Sequence, residues 1–369
     1  MQLHKPMLPA CFLHWTDPAR TSDDDVFRIV SWRRSLTLKG KSFQAFEDSV
    51  LPLLTGAHTV DQICEKVAHV FQKDDVVASL NMLAAQGIVV EGDGHQPGRV
   101  PQLGWLGEAA PEGRAAQRKL TDAHVVIVGA GSHGAITARA MIAAGIGKLT
   151  IVDPAPVATA DLYFSGIYKP DDIGENRAET LASALAQNDS TTTLTAIGSR
   201  PADVTAMKQH VEGASLVLCC VESGELNLAL LLNLACRESR VPWIAASLEG
   251  TELVIGPGFF HSANAPCYMC WRLREIAGAA NPQSRFAVEQ YLDRLRTDLS
   301  GRRENLAPSA DIVGGMLSVE ALTWLTGASA PNLDGRFIVV GLPGLRMEKH
   351  MVLRKPGCPV CSGNQDSTQ

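Results

Sequence analysis

The stretch Val125–Asp153, VVIVGAGSHGAITARAMIAAGIGKLTIVD, decides how this chain folds. It opens on a short continuous apolar run, Val125 to Val128, of the kind a parallel strand buried on both faces requires, and Leu149 to Val152 repeats the pattern. Between the two runs, Gly129, Gly131 and Gly134 give the spacing G-x-G-x-x-G and lead into an alanine-rich helical segment. Glycine permits a positive φ in the turn, lets the backbone approach a phosphate and lets the helix pack close to the strand. The free N–H groups at the start of the helix would face that phosphate. Asp153 follows Gly129 by 24 positions, where an acidic side chain accepts hydrogen bonds from a ribose. Strand, turn, helix and acid in this order predict a nucleotide site, against the alternative of a tight turn without a ligand. They do not specify the nucleotide.

Working outward, 369 residues can bury a full core and predict two domains. A net charge of -6 gives no electrostatic footprint for nucleic acid or an anionic membrane. No apolar run is long enough to span a bilayer, and the N-terminus MQLHKPMLPACFLHW lacks the form of a signal peptide, so a cytoplasmic protein is expected. Strand and helix patterns continue beyond Asp153. A helix opens near Asn176, Ser215 to Cys220 and Val241 to Ala246 read as strands, and Asn227 to Arg237 reads as a helix. The fold class is therefore α/β, with a Rossmann-like doubly wound sheet.

Four of the nine cysteines form two Cys-x-x-Cys pairs, Cys267 with Cys270 and Cys358 with Cys361. In a reducing compartment such pairs point to metal rather than disulfide, and together they can enclose one tetrahedral zinc. Four thiolates leave no position for substrate, so the expected role is structural. Redox pairs and unligated core thiols are the alternatives.

Upstream, residues 25–40 read as two strands. Helices follow from Ser42 to Leu54, from Thr59 to about Val70 and from Asp74 to Gln86, with Ser42 and Thr59 as N-caps, and a strand closes at Ile88–Val90. This order describes a winged-helix-like module. Its third helix, DDVVASLNMLAAQG, carries no Lys or Arg, which argues against DNA. The alternative is a peptide added as a strand to an open sheet edge. Residues 91–120 are rich in Gly and Pro and mark a boundary.

From about residue 115 to 363 the chain resembles the activating enzymes that include ThiF, MoeB and the first enzymes of ubiquitin transfer. The resemblance rests on VGAGSHG, Asp153, DDIGENR, LVLCCVES, APCYMC with CPVC, and APSADIVGGMLSVEALTWLTG at residues 307–327. Residues 22–95 resemble the precursor-recognition element of enzymes that modify ribosomally made peptides. Together these imply residues 1–21 as an N-terminal arm, 22–95 as a winged-helix-like leader-peptide recognition domain and 96–120 as a linker. Residues 121–363 would be an E1-like ATP-binding domain with the four-cysteine zinc site, and 364–369 a tail.

The resemblance further implies ATP with Mg2+, activation of a carboxylate at the α-phosphate, and a homodimer. Gly129, Gly131 and Gly134 would hold phosphates, Asp153 the ribose, Arg177 a phosphate, and Glu222 the magnesium, with Arg177 and Glu222 the catalytic pair. The chain departs from the family where Asp161-Leu162-Tyr163-Phe164 replaces Asn-Leu-x-Arg, which removes one phosphate-binding arginine. Arg177 stands for a lysine, and Glu222 for an aspartate one methylene shorter. Arg99, Arg114 or Arg200 would restore the lost charge. The expected function is ATP-dependent activation of a precursor-peptide carboxylate, a glutamate side chain, leading to cyclisation. The alternatives are a catalytically silent leader-binding scaffold for a partner cyclodehydratase, and adenylation of a peptide C-terminus.

Other residues admit a plain reading beside a functional one. His133, inside the glycine turn, touches a phosphate or faces solvent. Cys219, Cys220 and Cys236 are expected in the core rather than in a thioester. Arg294, Arg296, Arg302 and Arg303 meet an acidic peptide or form a solvated face.

Overall fold

The structure, a computed structural model, describes residues 3–9, 11–17, 25–31, 34–92, 100–110, 113–187, 191–222, 226–295 and 305–362. The chain forms two units, Met1–Ala115 and Ala116–Gln369.

The first unit comprises β1 (Pro6–Met7), β2 (Leu13–Asp17), β3 (Asp25–Val30), β4 (Ser35–Gly40), α1 (Phe43–Ser49), α2 (Val60–Val67), α3 (Lys73–Ala85), β5 (Val90–Glu91) and α4 (Val100–Ala109). Phe27 and Ile29 of β3 alternate with Arg28 and enter a core shared with Phe46, Ile63, Leu80 and Leu83. The antiparallel sheet runs β2-β3-β4, and β1 pairs with β5. Thr59 begins α2 with a reciprocal cap: its Oγ1 accepts from Gln62 N at 3.2 Å, and Gln62 Oε1 accepts from Thr59 N at 2.9 Å. Ser42 precedes α1 but makes no side-chain cap; its φ of 68° turns the chain after β4 instead.

Two segments without an expected element have one. Residues 1–21 include β1 and β2, and β2 pairs along its whole length with β3. Its Leu13 and Trp15 point outward, so the usual strand pattern of apolar side chains facing the core is reversed. The glycine- and proline-rich stretch 96–120 contains α4, which buries Leu103 and Leu106; Pro101 sits in its first turn, where no helical hydrogen bond is lost.

The second unit continues with α5 (Gln117–Asp122), β6 (His124–Val128), α6 (Ser132–Ala144), β7 (Lys148–Val152), α7 (Asp161–Phe164), α8 (Arg177–Ala186) and β8 (Thr193–Ile197). Then come α9 (Val204–Val211), β9 (Leu216–Cys219), α10 (Leu226–Ser239), β10 (Trp243–Glu249), β11 (Glu252–Phe259), α11 (Tyr268–Gly278), α12 (Pro282–Leu295), α13 (Ala307–Thr326), β12 (Arg336–Gly341) and β13 (Arg346–Met351). The eight-stranded sheet has the order β13-β12-β11-β10-β9-β6-β7-β8. Strands β8, β7, β6, β9 and β10 are parallel, and β11 to β13 return antiparallel. One apolar cluster packs α6, α8 and α13 on one face, and a second packs α9 and α10 on the other. Coverage on both faces is why Val125–Val128 is uniformly buried. Strand order reverses between β6 and β9, and a crevice at the carboxyl ends of the strands is expected there. Among the described residues no helix is long and apolar enough to cross a membrane.

Candidate functional site

The crevice holds the glycine turn. Gly129 has a φ of 98°, and a Cβ there would lie 2.4 Å from the Cys220 carbonyl oxygen. A Cβ on Gly134 would lie 2.0 Å from the Gly129 oxygen, so both glycines are required by the turn itself. Gly131 differs: the nearest atoms to its added Cβ are the Glu222 carboxylate at 2.8–3.2 Å, the far end of a flexible side chain. Bare backbone at 131 therefore forms a cradle over the N-terminus of α6 that suits an anion, and the Glu222 carboxylate occupies it.

Around this turn the structure brings together Asp153, Arg177 and Glu222. Asp153, at the end of β7, is buried; its Oδ2 accepts from Ala130 N at 2.7 Å and its Oδ1 from Ala155 N at 2.8 Å. Arg177 opens α8 after its N-cap Asn176. The guanidinium is buried, with Nε donating to Asp161 Oδ2 at 2.8 Å and Nη1 lying 3.8 Å from Asp153 Oδ2. Glu222 follows β9, and its Oε1 accepts from Ser132 N at 3.0 Å and from Ser132 Oγ at 2.5 Å. A cleft of about 20 Å³ remains between Gly129, Asp153, Ala155, Arg177, Glu222 and Leu228.

Three further residues shape the site. Asp161 begins α7, and burial pushes its carboxyl up against the pull of Arg177 and of the Ala158 N–H. Tyr168 donates to the Ala130 carbonyl at 2.6 Å, tying the turn to the loop before α8. Burial raises its hydroxyl pKa, the carboxylates of Asp153, Asp161 and Glu222 add to this, and Arg177 opposes it. Asn176 Nδ2 donates to the carbonyls of Asp153 at 3.1 Å and Gly198 at 3.3 Å. Of the three, Asn176 carried a sequence signal, as a helix opener; Asp161 begins the single-turn helix α7 and Tyr168 lies in the loop after it, both too short for periodicity.

His133 neither faces solvent nor lines the cleft. It is fully buried, and burial lowers its pKa to about 4, so the ring is held neutral in the core. Position 133 falls on the face of α6 that packs against α13, where a Cβ on Gly314 would lie 3.1 Å from the His133 oxygen. Cys219, Cys220 and Cys236 are buried as expected, and burial pushes the Cys219 thiol up to about 12, far from a reactive thiolate. Arg114 belongs to the first unit, packed beside Gly107, and Arg200 lies beyond β8. Arg99, Arg296, Arg302 and Arg303 fall outside the described residues, and Arg294 lies in α12.

The four cysteines converge. Cys267, Cys270, Cys358 and Cys361 are buried, with all four sulfurs within 4.8 Å of one another. Cys267 and Cys358 are 3.7 Å apart, Cys270 and Cys361 3.4 Å, and Cys267 and Cys270 4.0 Å. A tetrahedron with zinc–sulfur bonds of about 2.3 Å has sulfurs about 3.8 Å apart, so the cluster suits one such ion. Burial raises the Cys358 thiol, but hydrogen bonds from the Val360 and Cys361 N–H groups and with the Cys361 and Cys270 thiols outweigh it and lower its pKa, whereas burial raises the thiols of Cys267 and Cys361.

A doubly wound sheet whose glycine turn opens at the switch point, with a carboxylate ending the next strand, defines a nucleotide-binding domain. The chain belongs to the ThiF family, which its residues 105–360 match. It is 27% identical over 248 residues to the molybdopterin-synthase adenylyltransferase of Salmonella typhimurium, covering 66% of this chain and 89% of that protein. It also resembles Escherichia coli MccB, solved with ATP, at a TM-score of 0.63 and 17% identity over 96% of this chain and 99% of the other. MccB, described as a microcin C7 biosynthetic enzyme, is also solved in complex with N-formylated MccA. The structure of PaaA matches at a TM-score of 0.60 and 14% identity, covering 93% of this chain and 99% of that one. The chain is thus an ATP-dependent enzyme of the E1-like kind.

Proposed function

We propose that this enzyme activates a carboxylate of a ribosomally made precursor peptide, a glutamate side chain, and that the activated group then cyclises. The observation that carries this reading is an open strand edge on the same chain as the ThiF-family domain. Strand β4 pairs with β3 on one side, and among the described residues no strand covers its other edge. Beside it lies a cavity of about 270 Å³ whose lining includes Leu38, Phe43, Phe46, Phe71 and Met82. An added peptide strand would gain backbone hydrogen bonds from β4 and seat an apolar side chain in that cavity. The MccB complex with N-formylated MccA supports a peptide as the substrate class.

In the second unit, a carboxylate oxygen of the peptide attacks the α-phosphorus of ATP. A bond forms from that oxygen to phosphorus, the bond to the bridging oxygen breaks, and pyrophosphate leaves; phosphorylation at the γ-phosphorus is the second form such activation takes. The rate depends on in-line positioning and on charge neutralisation at the phosphates. The bare backbone at Gly131 and the amides of α6 would receive phosphate oxygens, and Asp153 would face the ribose. Arg177 would supply positive charge, and Glu222 would hold magnesium. Magnesium, when bound, would offset phosphate charge. Zinc in the four-cysteine cluster would fasten the C-terminal segment to the start of α11. A second copy of the chain would cover the sheet edge at β13, where Leu345, Met347, Met351 and Leu353 are exposed.

Incubation with ATP, Mg2+ and candidate peptides, read by AMP or ADP release and by peptide mass, tests the reading. Turnover with loss of water from a glutamate-bearing peptide supports it. Adenylation at the C-terminus alone would replace glutamate with the terminal carboxylate. Tight peptide binding with no turnover for any peptide would overturn the proposal that it activates a peptide carboxylate.

A further inference from the structure

We propose that Glu222 is an internal stand-in for the nucleotide phosphate, an autoinhibitory occupant that magnesium withdraws when ATP binds. The inference rests on the nucleotide site described above and adds a regulation to it. Glu222 Oε1 sits on Ser132 N at 3.0 Å and Ser132 Oγ at 2.5 Å, the position at the start of α6 that suits an anion. The same carboxylate fills the space over Gly131. What is left of the cleft, about 20 Å³, is far below the roughly 300–1,000 Å³ of a pocket for a small molecule. A phosphate oxygen therefore reaches the Ser132 amide only when Glu222 leaves it.

Two observations identify what draws it out. Glu222 Oε2 is buried and makes no hydrogen bond among the described residues, so the carboxylate is half satisfied where it stands. The carboxylates of Asp153, Asp161 and Glu222 all act on Tyr168, against the guanidinium of Arg177. That excess of negative charge repels a bare triphosphate and attracts a divalent cation. Glu222 would hold a cation carried by ATP, and in doing so would free Ser132 N for a phosphate oxygen. Glutamate, one methylene longer than aspartate, has the reach to Ser132; an aspartate at 222 would retain the charge and retreat from the amide.

Titration calorimetry of ATP in EDTA, and of ATP with excess Mg2+, into wild type, Glu222→Asp and Glu222→Ala separates the effects. Metal-free ATP is expected to bind both variants about tenfold tighter than wild type, the factor for losing a competing interaction of about 1.4 kcal/mol. Mg2+ is expected to tighten ATP strongly in wild type and weakly in Glu222→Ala. Equal metal-free affinity in wild type and Glu222→Asp, including a gain confined to Glu222→Ala, would mean that charge alone acts and would overturn the proposal. Failure of every protein to bind ATP even with Mg2+ would instead bring down the nucleotide site on which it rests.

Discussion

Arg177 and Asp161 form a buried ion pair, Nε to Oδ2 at 2.8 Å, with side chains 4% and 2% exposed. Asp161 thus sets a carboxylate against Arg177 and offsets part of the positive charge that Arg177 brings to the cleft. Removing one partner strands the other in a low dielectric, which costs about 3–5 kcal/mol. Arg177→Ala is therefore expected to lose stability on that scale together with nucleotide turnover, and Arg177→Ala with Asp161→Ala to recover much of the stability but not the turnover. Urea unfolding of the single and double variants measures the coupling; a full loss of turnover with unchanged stability would show that the pair is not structural.

The contrast between what was legible and what was not follows from burial. Val125–Val128 and Leu149–Val152 announce themselves because a strand covered on both faces is almost wholly apolar; the one polar residue in these runs, Thr150, is buried with its hydroxyl bonded to the His124 ring at 2.9 Å. The four cysteines do so because two tight pairs have few other uses. β2 was silent because Leu13 and Trp15 face outward, and α4 because Pro101, Gly104 and Gly107 mask its apolar face. Of the residues named from spacing and resemblance, Gly129, Asp153, Arg177 and Glu222 line one cleft, with Gly131 and Gly134 in the turn beside it, and their roles are those proposed above. Tyr168 gave no signal because its loop has no period to read, and Asp161 stood out only as a difference from the resembling enzymes, without a partner assigned to it. His133 was misplaced because a polar residue between glycines reads as exposed, whereas the rotation of α6 turns it into the core.

That burial makes His133 an acid-sensitive element. Its folded pKa of about 4 lies below the ordinary histidine value, so at pH 5 the unfolded chain binds a proton that the folded chain does not. Stability from this group is full above about pH 6.5 and is lost as pH falls toward 4, on the order of 3 kcal/mol in all. His133→Leu is expected to flatten the stability profile between pH 7 and pH 5, as read by denaturant midpoints. An unchanged slope in that window would place the acid sensitivity elsewhere.

Metal removal should act locally before it acts globally. The cluster joins Cys267 and Cys270 at the start of α11 to Cys358 and Cys361 near the end of the described chain, and Lys355 N also donates to Cys270 Sγ at 3.3 Å. Elemental analysis is expected to give one zinc per chain. Chelation, or Cys358→Ser, should expose the segment around residues 354–361 to limited proteolysis and lower Tm. A folded, protease-resistant protein free of metal would contradict a structural ion.

The two units divide the work in the proposed function. Met82 is 40% exposed and borders the cavity beside β4. Met82→Glu introduces a charge that an apolar anchor cannot desolvate, and peptide affinity is expected to fall at least about tenfold. ATP affinity should be unchanged. Fluorescence anisotropy with labelled peptide and parallel ATP titration test this; equal peptide affinity in variant and wild type would move the peptide site away from this cavity.

The central claim, that the glycine turn serves ATP-dependent activation of a peptide carboxylate, is most directly tested by exchange of labelled pyrophosphate into ATP. With Mg2+ and a cognate peptide, exchange is predicted to appear, to require the peptide and to vanish in Arg177→Ala. Exchange that proceeds equally without peptide, or no nucleotide cleavage of either kind with any carboxylate-bearing peptide, would contradict it.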